Sequence, residues 1–198
     1  MQTLQINDDS VVDESVKSLL NGGLVMHPTE TCYGLAVDIF NESALKKLYR
    51  VKGRDADKPV SILVDGLGMA MEYGIFSEKA LELAHEYWPG PLSIVVPRTK
   101  TLPDFLNPGE EFISIRYSSD TLCEALPAKF GSPITTTSAN LAGQDPLYEA
   151  DMKRLGKEAS TIDLVIDGGI LSENKPSTVV KVEGDHVDVL RHGDITFE

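Results

Sequence analysis

The chain has 198 residues, 41% hydrophobic and 25% charged, enough for one domain with a sizeable core and too apolar for global disorder. Its net charge of −13 opposes binding along a polyanion unless the basic residues are segregated. No apolar run approaches the ~18 residues of a membrane helix, and MQTLQINDDS lacks a leader pattern. We therefore expect a cytoplasmic protein of one domain, residues 1–198, without membrane contact.

Asp9 and Ser10 can cap a helix carrying Val12, Val16, Leu19 and Leu20 at helical spacing, which Gly22 and Gly23 end. Residues 24–27 read as a buried strand running into Pro28. Asn41 caps a second helix with Ala44, Leu45, Leu48 and Val51 as its buried stripe, and its end delivers Lys52 and Arg54 into a loop. Residues 60–64 form the next strand. A helix from Ser77 to Trp88 buries Leu81, Ala84 and Trp88, with His85 packed on the same stripe, until Pro89-Gly90-Pro91 stops it.

Strands follow near 92–96 and 112–116, then a helix near 119–130 with Leu122, Leu126 and Phe130. A strand near 133–136, a helix near 148–158 and strands near 162–166, 177–182 and 186–190 complete the pattern. Helices and strands alternate first and strands dominate later, which predicts an α/β domain on an open, twisted, mixed sheet.

Several chemistries are absent from this pattern. There is no Walker-type phosphate loop, and Gly66 and Gly68 do not continue into a dinucleotide fingerprint. Cys32 and Cys123 are far apart, so neither a disulfide framework nor a zinc site is suggested, and no nucleophile elbow is present. Positioning of substrates and stabilisation of charge remain.

The basic residues are segregated. Lys46, Lys47, Arg50, Lys52, Arg54 and Lys58 fall within thirteen positions, which fits either a solvated helix flank or a compact anion pocket. Three polar groupings accompany them. In His27 to Leu35, the hydroxyls of Thr29, Thr31 and Tyr33 would share one cavity if that stretch is extended, or the segment is a turn between strands. Gly53 lets Lys52 and Arg54 converge on one anion, for which arginine offers a planar fork and lysine a point charge. Thr135 to Asn140 places four hydroxyls and a carboxamide at the end of a strand, where open α/β sheets bind ligands.

PTETCYGLAVD, KGR-x-x-x-KP, SIR at 114–116, TSAN at 137–140, PSTVV at 176–180 and LRHGDI at 190–195 together resemble the YrdC/TsaC family over residues 10 to 195. The resemblance implies a YrdC-like fold with a concave basic cavity. It also implies synthesis of L-threonylcarbamoyl-AMP and pyrophosphate from L-threonine, bicarbonate or CO2, and ATP. A tRNA threonylcarbamoyl-transferase complex would then act on adenosine beside the anticodon, with weak or no direct tRNA binding by this chain.

Carried over by position, Lys52 and Arg54 would be catalytic, and with Lys58, Ser138, Asn140 and Arg191 would bind ATP. Thr31, Arg116, Thr136 (or Thr137) and Ser177 would bind threonine. Mg²⁺ would travel with ATP, and no dedicated protein metal site is expected. Distinguishing threonine from serine would rest on one methyl group, worth about 1–3 kcal/mol.

Some positions depart from the family pattern. Lys58 stands where asparagine is frequent, Pro146 where many members have a nucleotide-contacting serine, and Leu63 where two-domain relatives have a histidine near threonine. The chain stops just after LRHGDI, without the linker and second domain of longer relatives, so a lid is expected from within the domain or from a partner. The alternative reading is a family paralogue that binds nucleotide or double-stranded RNA in ribosome or RNA maturation with little synthase activity. His27 is expected to serve packing.

Overall fold

The computed structural model describes residues 1–53 and 58–197. Among these, strands β1 (Gln2–Gln5), β2 (Val25–His27), β3 (Gly34–Ala36), β4 (Ser61–Leu63), β5 (Leu92–Pro97), β6 (Phe112–Arg116), β7 (Ile134–Ser138), β8 (Leu164–Asp167), β9 (Thr178–Glu183) and β10 (His186–Arg191) form one sheet. Their order is β1-β8-β2-β3-β7-β4-β6-β5-β9-β10. The β1/β8, β2/β8, β4/β6 and β5/β9 pairs are parallel and the other five antiparallel, so the expected mixed open sheet is present.

Helices α1 (Val11–Leu20), α2 (Glu42–Lys52), α3 (Leu67–Tyr73), α4 (Glu78–Tyr87) and α5 (Thr121–Phe130) flank it. Three begin where a side-chain oxygen satisfies a free amide: Asn41 accepts from Ala44 N, Ser77 from Ala80 N, and Asp120 from Leu122 and Cys123 N.

Strand alternation divides the core. Met26, Leu35 and Ile62 share one cluster with α2 and α4, while Val25, Ala36, Leu63 and Ile134 share another with α1 and α5. Ser61 and Thr136 stand on the second face, beyond the cover of α1 and α5. That bare stretch of sheet is where the site lies.

Some expectations need correction. α1 turns Val11, Ser15 and Leu19 inward and leaves Leu20 exposed. α4 buries Ala80, Leu83 and Ala84, so His85 is solvent-facing and Leu81 only half-buried. The helix expected near 148–158 is two 3-10 turns, Met152–Leu155 and Lys157–Thr161, separated by Gly156 at φ +70°, which an α-helix does not accommodate. Among the described residues, no helix is long and apolar enough to cross a membrane.

Candidate active site

A cavity of about 470 Å³ opens on the bare sheet face. It gathers Thr31, Lys52, Lys58, Arg116, Thr136, Ser138, Asn140, Ser177 and Arg191 from segments spread over most of the chain. Of the residues singled out in the sequence, Arg54 lies outside the described ones. Among the described residues, four cations and no carboxylate line the cavity. In a chain of net charge −13, the cavity concentrates positive charge in a field that repels extended polyanions.

The basic island of the sequence is split by its helix. Lys46 pairs with Glu42 and Lys47 with Asp163 on the outside of α2, where Arg50 is also exposed. Lys52, in the last turn, points inward and is only 3% exposed. Gly53 ends the helix at φ +57°, the left-handed conformation that turns the chain sharply away. Lys46 and Lys47 thus flank the helix on its outer side, whereas Lys52 and Lys58 line the cavity.

Lys52 Nζ donates to the Ser138 carbonyl and, at 2.9 Å, to Asn140 Oδ1, which also accepts from Ser138 Oγ at 2.6 Å. Asn140 Nδ2 donates to the Gln144 carbonyl at 2.6 Å. β7 and the loop after it are thereby fastened to the end of α2.

The segment after Pro28 is a turn and not an extended stretch. Thr29 Oγ1 accepts from the amides of Thr31 and Cys32 and donates to the Cys32 carbonyl. Of the three alternating hydroxyls only that of Thr31 reaches the cavity. The Tyr33 hydroxyl instead accepts from Gly168 N at 2.8 Å and donates to the Gly169 carbonyl at 2.9 Å. Cys32 also lines the wall, and burial pushes its thiol up despite the nearby Arg116, Arg191 and Lys52, so it is no thiolate nucleophile.

At the other end, Arg116 Nη2 donates to Thr31 Oγ1 at 3.2 Å and forms an ion pair with Glu30 Oε1 at 2.9 Å. Its Nε is buried with no hydrogen-bond partner. Arg191 Nε and Nη2 donate to the Ser177 carbonyl and Oγ, both at 2.9 Å, and Ser177 Oγ lies 3.1 Å from Ser93 Oγ. Burial and then the positive Arg116 nearby lower the Arg191 pKa.

The sequence and the fold are both similar to those of known proteins. The Sua5/YciO/YrdC family model, described as telomere recombination, matches residues 17–193. The chain belongs to this family. A Thiobacillus denitrificans relative named threonylcarbamoyl-AMP synthase is 34% identical over 163 residues, covering 82% of this chain and 86% of its own. A Methanocaldococcus jannaschii protein, provisionally given the same name, is 33% identical over 183 residues, 92% of this chain and 85% of its own. The crystal structure of P. abyssi Sua5 complexed with L-threonine matches with a TM-score of 0.86 at 27% identity, over 97% of this chain and 57% of that one. The chain thus spans little more than half the length of that Sua5.

Two departures from the family pattern resolve differently. Pro146 does line the cavity. Leu63 does not: it is buried among Ile134, Leu122 and Leu126 beneath α5, so it leaves no gap in the cavity wall. Sequence reasoning missed Glu30, Ser93 and Ser118, which hold the lining residues in place; only Glu30 had a local signal, its place inside PTETCYG.

Proposed function

We propose that the chain is a threonylcarbamoyl-AMP synthase, a nucleotidyltransferase that joins L-threonine, bicarbonate or CO2, and ATP into L-threonylcarbamoyl-AMP and pyrophosphate. One observation carries this reading: a confined cavity lined by four cations and, among the described residues, no carboxylate, in a strongly acidic chain. The relatives' names support the reaction, and the threonine complex of P. abyssi Sua5 supports the amino acid.

The chemistry suits those residues. The threonine amine attacks CO2 and loses a proton to give an N-carboxylate. A carboxylate oxygen then attacks the α-phosphorus of ATP, and the bond to the pyrophosphate oxygen breaks. Both reactants are anions and the leaving group gathers charge, so cations whose contacts strengthen along this path lower the barrier. No side-chain nucleophile is required.

In this reading Arg116 takes the threonine carboxylate, with Thr31, Thr136 and Ser177 around the amino acid. Lys52, Arg54 and Lys58 hold the phosphates, and Ser138, Asn140 and Arg191 the nucleotide. Mg²⁺ enters as the complex with ATP. The product passes in the cytoplasm to a transferase that modifies adenosine beside the anticodon of tRNA. The small cavity and the charge of −13 favour a compact anion over double-stranded RNA.

The test follows pyrophosphate release with ATP, Mg²⁺ and bicarbonate, with and without threonine, alongside Arg54→Ala. Threonine-dependent release that the substitution abolishes is expected, with the adenylate detected by mass. ATP binding without turnover, joined to tight and salt-sensitive binding of double-stranded RNA, would overturn the reading.

A further inference from the structure

We infer that Glu30 is a positioning residue for amino-acid recognition: its carboxylate, held by Ser118, forms an ion pair with Arg116 and fixes that guanidinium at the cavity wall. The inference rests on the synthase reading, in which Arg116 takes the threonine carboxylate, and adds a residue outside the cavity wall.

Glu30 Oε1 lies 2.9 Å from Arg116 Nη2, and Oε2 accepts from Ser118 Oγ. The side chain of Arg116 is 9% exposed and that of Glu30 19%. Burial alone would push the Glu30 carboxyl up, but Arg116 and the Ser118 hydroxyl outweigh it and hold it below the ordinary value. Glu30 is therefore ionised at neutral pH.

The clamp acts on one nitrogen of the arginine. Nη2 forms the ion pair with Glu30 Oε1 and donates to Thr31 Oγ1, while Arg116 Nε and Glu30 Oε1 are both buried without a hydrogen-bond partner. Arg116 lines the cavity, and an arginine free to rotate would lose orientational freedom on each binding event, whereas one held by an ion pair is already ordered. The other groups near the pair are the buried His27, Cys32 and Cys123, the positive Arg191, and Asp120, which caps α5. Burial holds His27 towards its neutral form and Cys123 as the thiol, so Glu30 is the counter-charge Arg116 touches.

Three proteins are compared by threonine- and ATP-dependent pyrophosphate release: the native chain, Glu30→Gln and Ser118→Ala. Glu30→Gln is expected to raise KM for threonine roughly tenfold or more, with KM for ATP unchanged within about twofold, because an ion pair to a charged donor has been replaced by a neutral contact. Ser118→Ala removes a bond that lowers the Glu30 pKa. It is expected to leave KM for threonine near the native value at pH 8 and to raise it at a higher pH than in the native chain as acid is added. A packing defect alone would not move that pH limb.

Native protein that releases no pyrophosphate with threonine overturns the synthase reading and this inference together. An active native protein whose threonine KM survives Glu30→Gln, or rises no more than its ATP KM, overturns the inference alone. Should Glu30→Gln fail to fold, an unshifted acid limb in Ser118→Ala overturns it as well.

Discussion

The Lys52 ammonium and the Asn140 side-chain oxygen meet at 2.9 Å, joining the end of α2 to the loop after β7 across one end of the cavity. A backbone bond runs alongside, from Ala142 N to the Lys52 carbonyl at 2.8 Å. Lys52 therefore has two tasks. It supplies charge to the cavity, and it holds Ser138 and Asn140 at the cavity wall.

Lys52→Met should abolish pyrophosphate release. It should also lower unfolding free energy by about 1–3 kcal/mol, because the part-buried Ser138 carbonyl and Asn140 Oδ1 lose a charged donor. Arg50→Met, two residues earlier on the exposed side of α2, should change stability by no more than about 0.5 kcal/mol and leave turnover intact. Urea unfolding and the pyrophosphate assay check both. Equal losses in the two variants would mean that the whole basic stretch acts as a diffuse field.

Tyr33→Phe separates the turn from the extended reading of PTETCYG. Its hydroxyl is engaged by Gly168 N and the Gly169 carbonyl, away from the cavity. The substitution should cost about 1 kcal/mol of stability by removing the hydroxyl's hydrogen bonds to half-buried Gly168 and exposed Gly169, while KM for threonine stays within about twofold. Thr31→Val should do the reverse, raising KM for threonine with little change in stability. Thermal melts and steady-state kinetics with threonine varied distinguish them.

What was legible in the sequence follows from where the physics is local. α2, α4 and α5 announce themselves because Asn41, Ser77 and Asp120 each satisfy an amide within three residues. β1 gave no signal: QTLQ is a polar edge strand whose register is set by β8, from the far end of the chain. α3 buries only Ala70 and starts at Gly66 without a side-chain cap, so neither periodicity nor capping marks it. At the site, the lining residues were found through motif resemblance. Their support was not, because Glu30–Arg116 and Ser93–Ser177 are pairings that only the folded sheet creates.

His27 makes a prediction about stability with pH. It is fully buried on β2, and its Nδ1 lies 2.9 Å from the Pro28 carbonyl, which only accepts. The neutral ring therefore carries its proton on Nδ1, and Nε2 is buried without a hydrogen-bond partner. Burial lowers its pKa from 6.5, against smaller upward pulls from the Pro28 carbonyl, Asp120 and Glu30, with Arg116 adding to the lowering.

The sign follows from proton counting. Below pH 6.5 the unfolded chain takes up a proton on this histidine that the folded chain refuses, so the unfolded state binds more protons. The contribution of His27 is complete above pH 6.5 and declines as pH falls towards the folded value, by up to about 1.4 kcal/mol per pH unit. His27→Asn keeps an N–H donor for Pro28 and cannot titrate. Its unfolding free energy should lie below that of the native chain at pH 7.5, and the gap should narrow at pH 5.5. Parallel urea midpoints across that range would mean that His27 is protonated in the fold and that its Nε2 has found an acceptor.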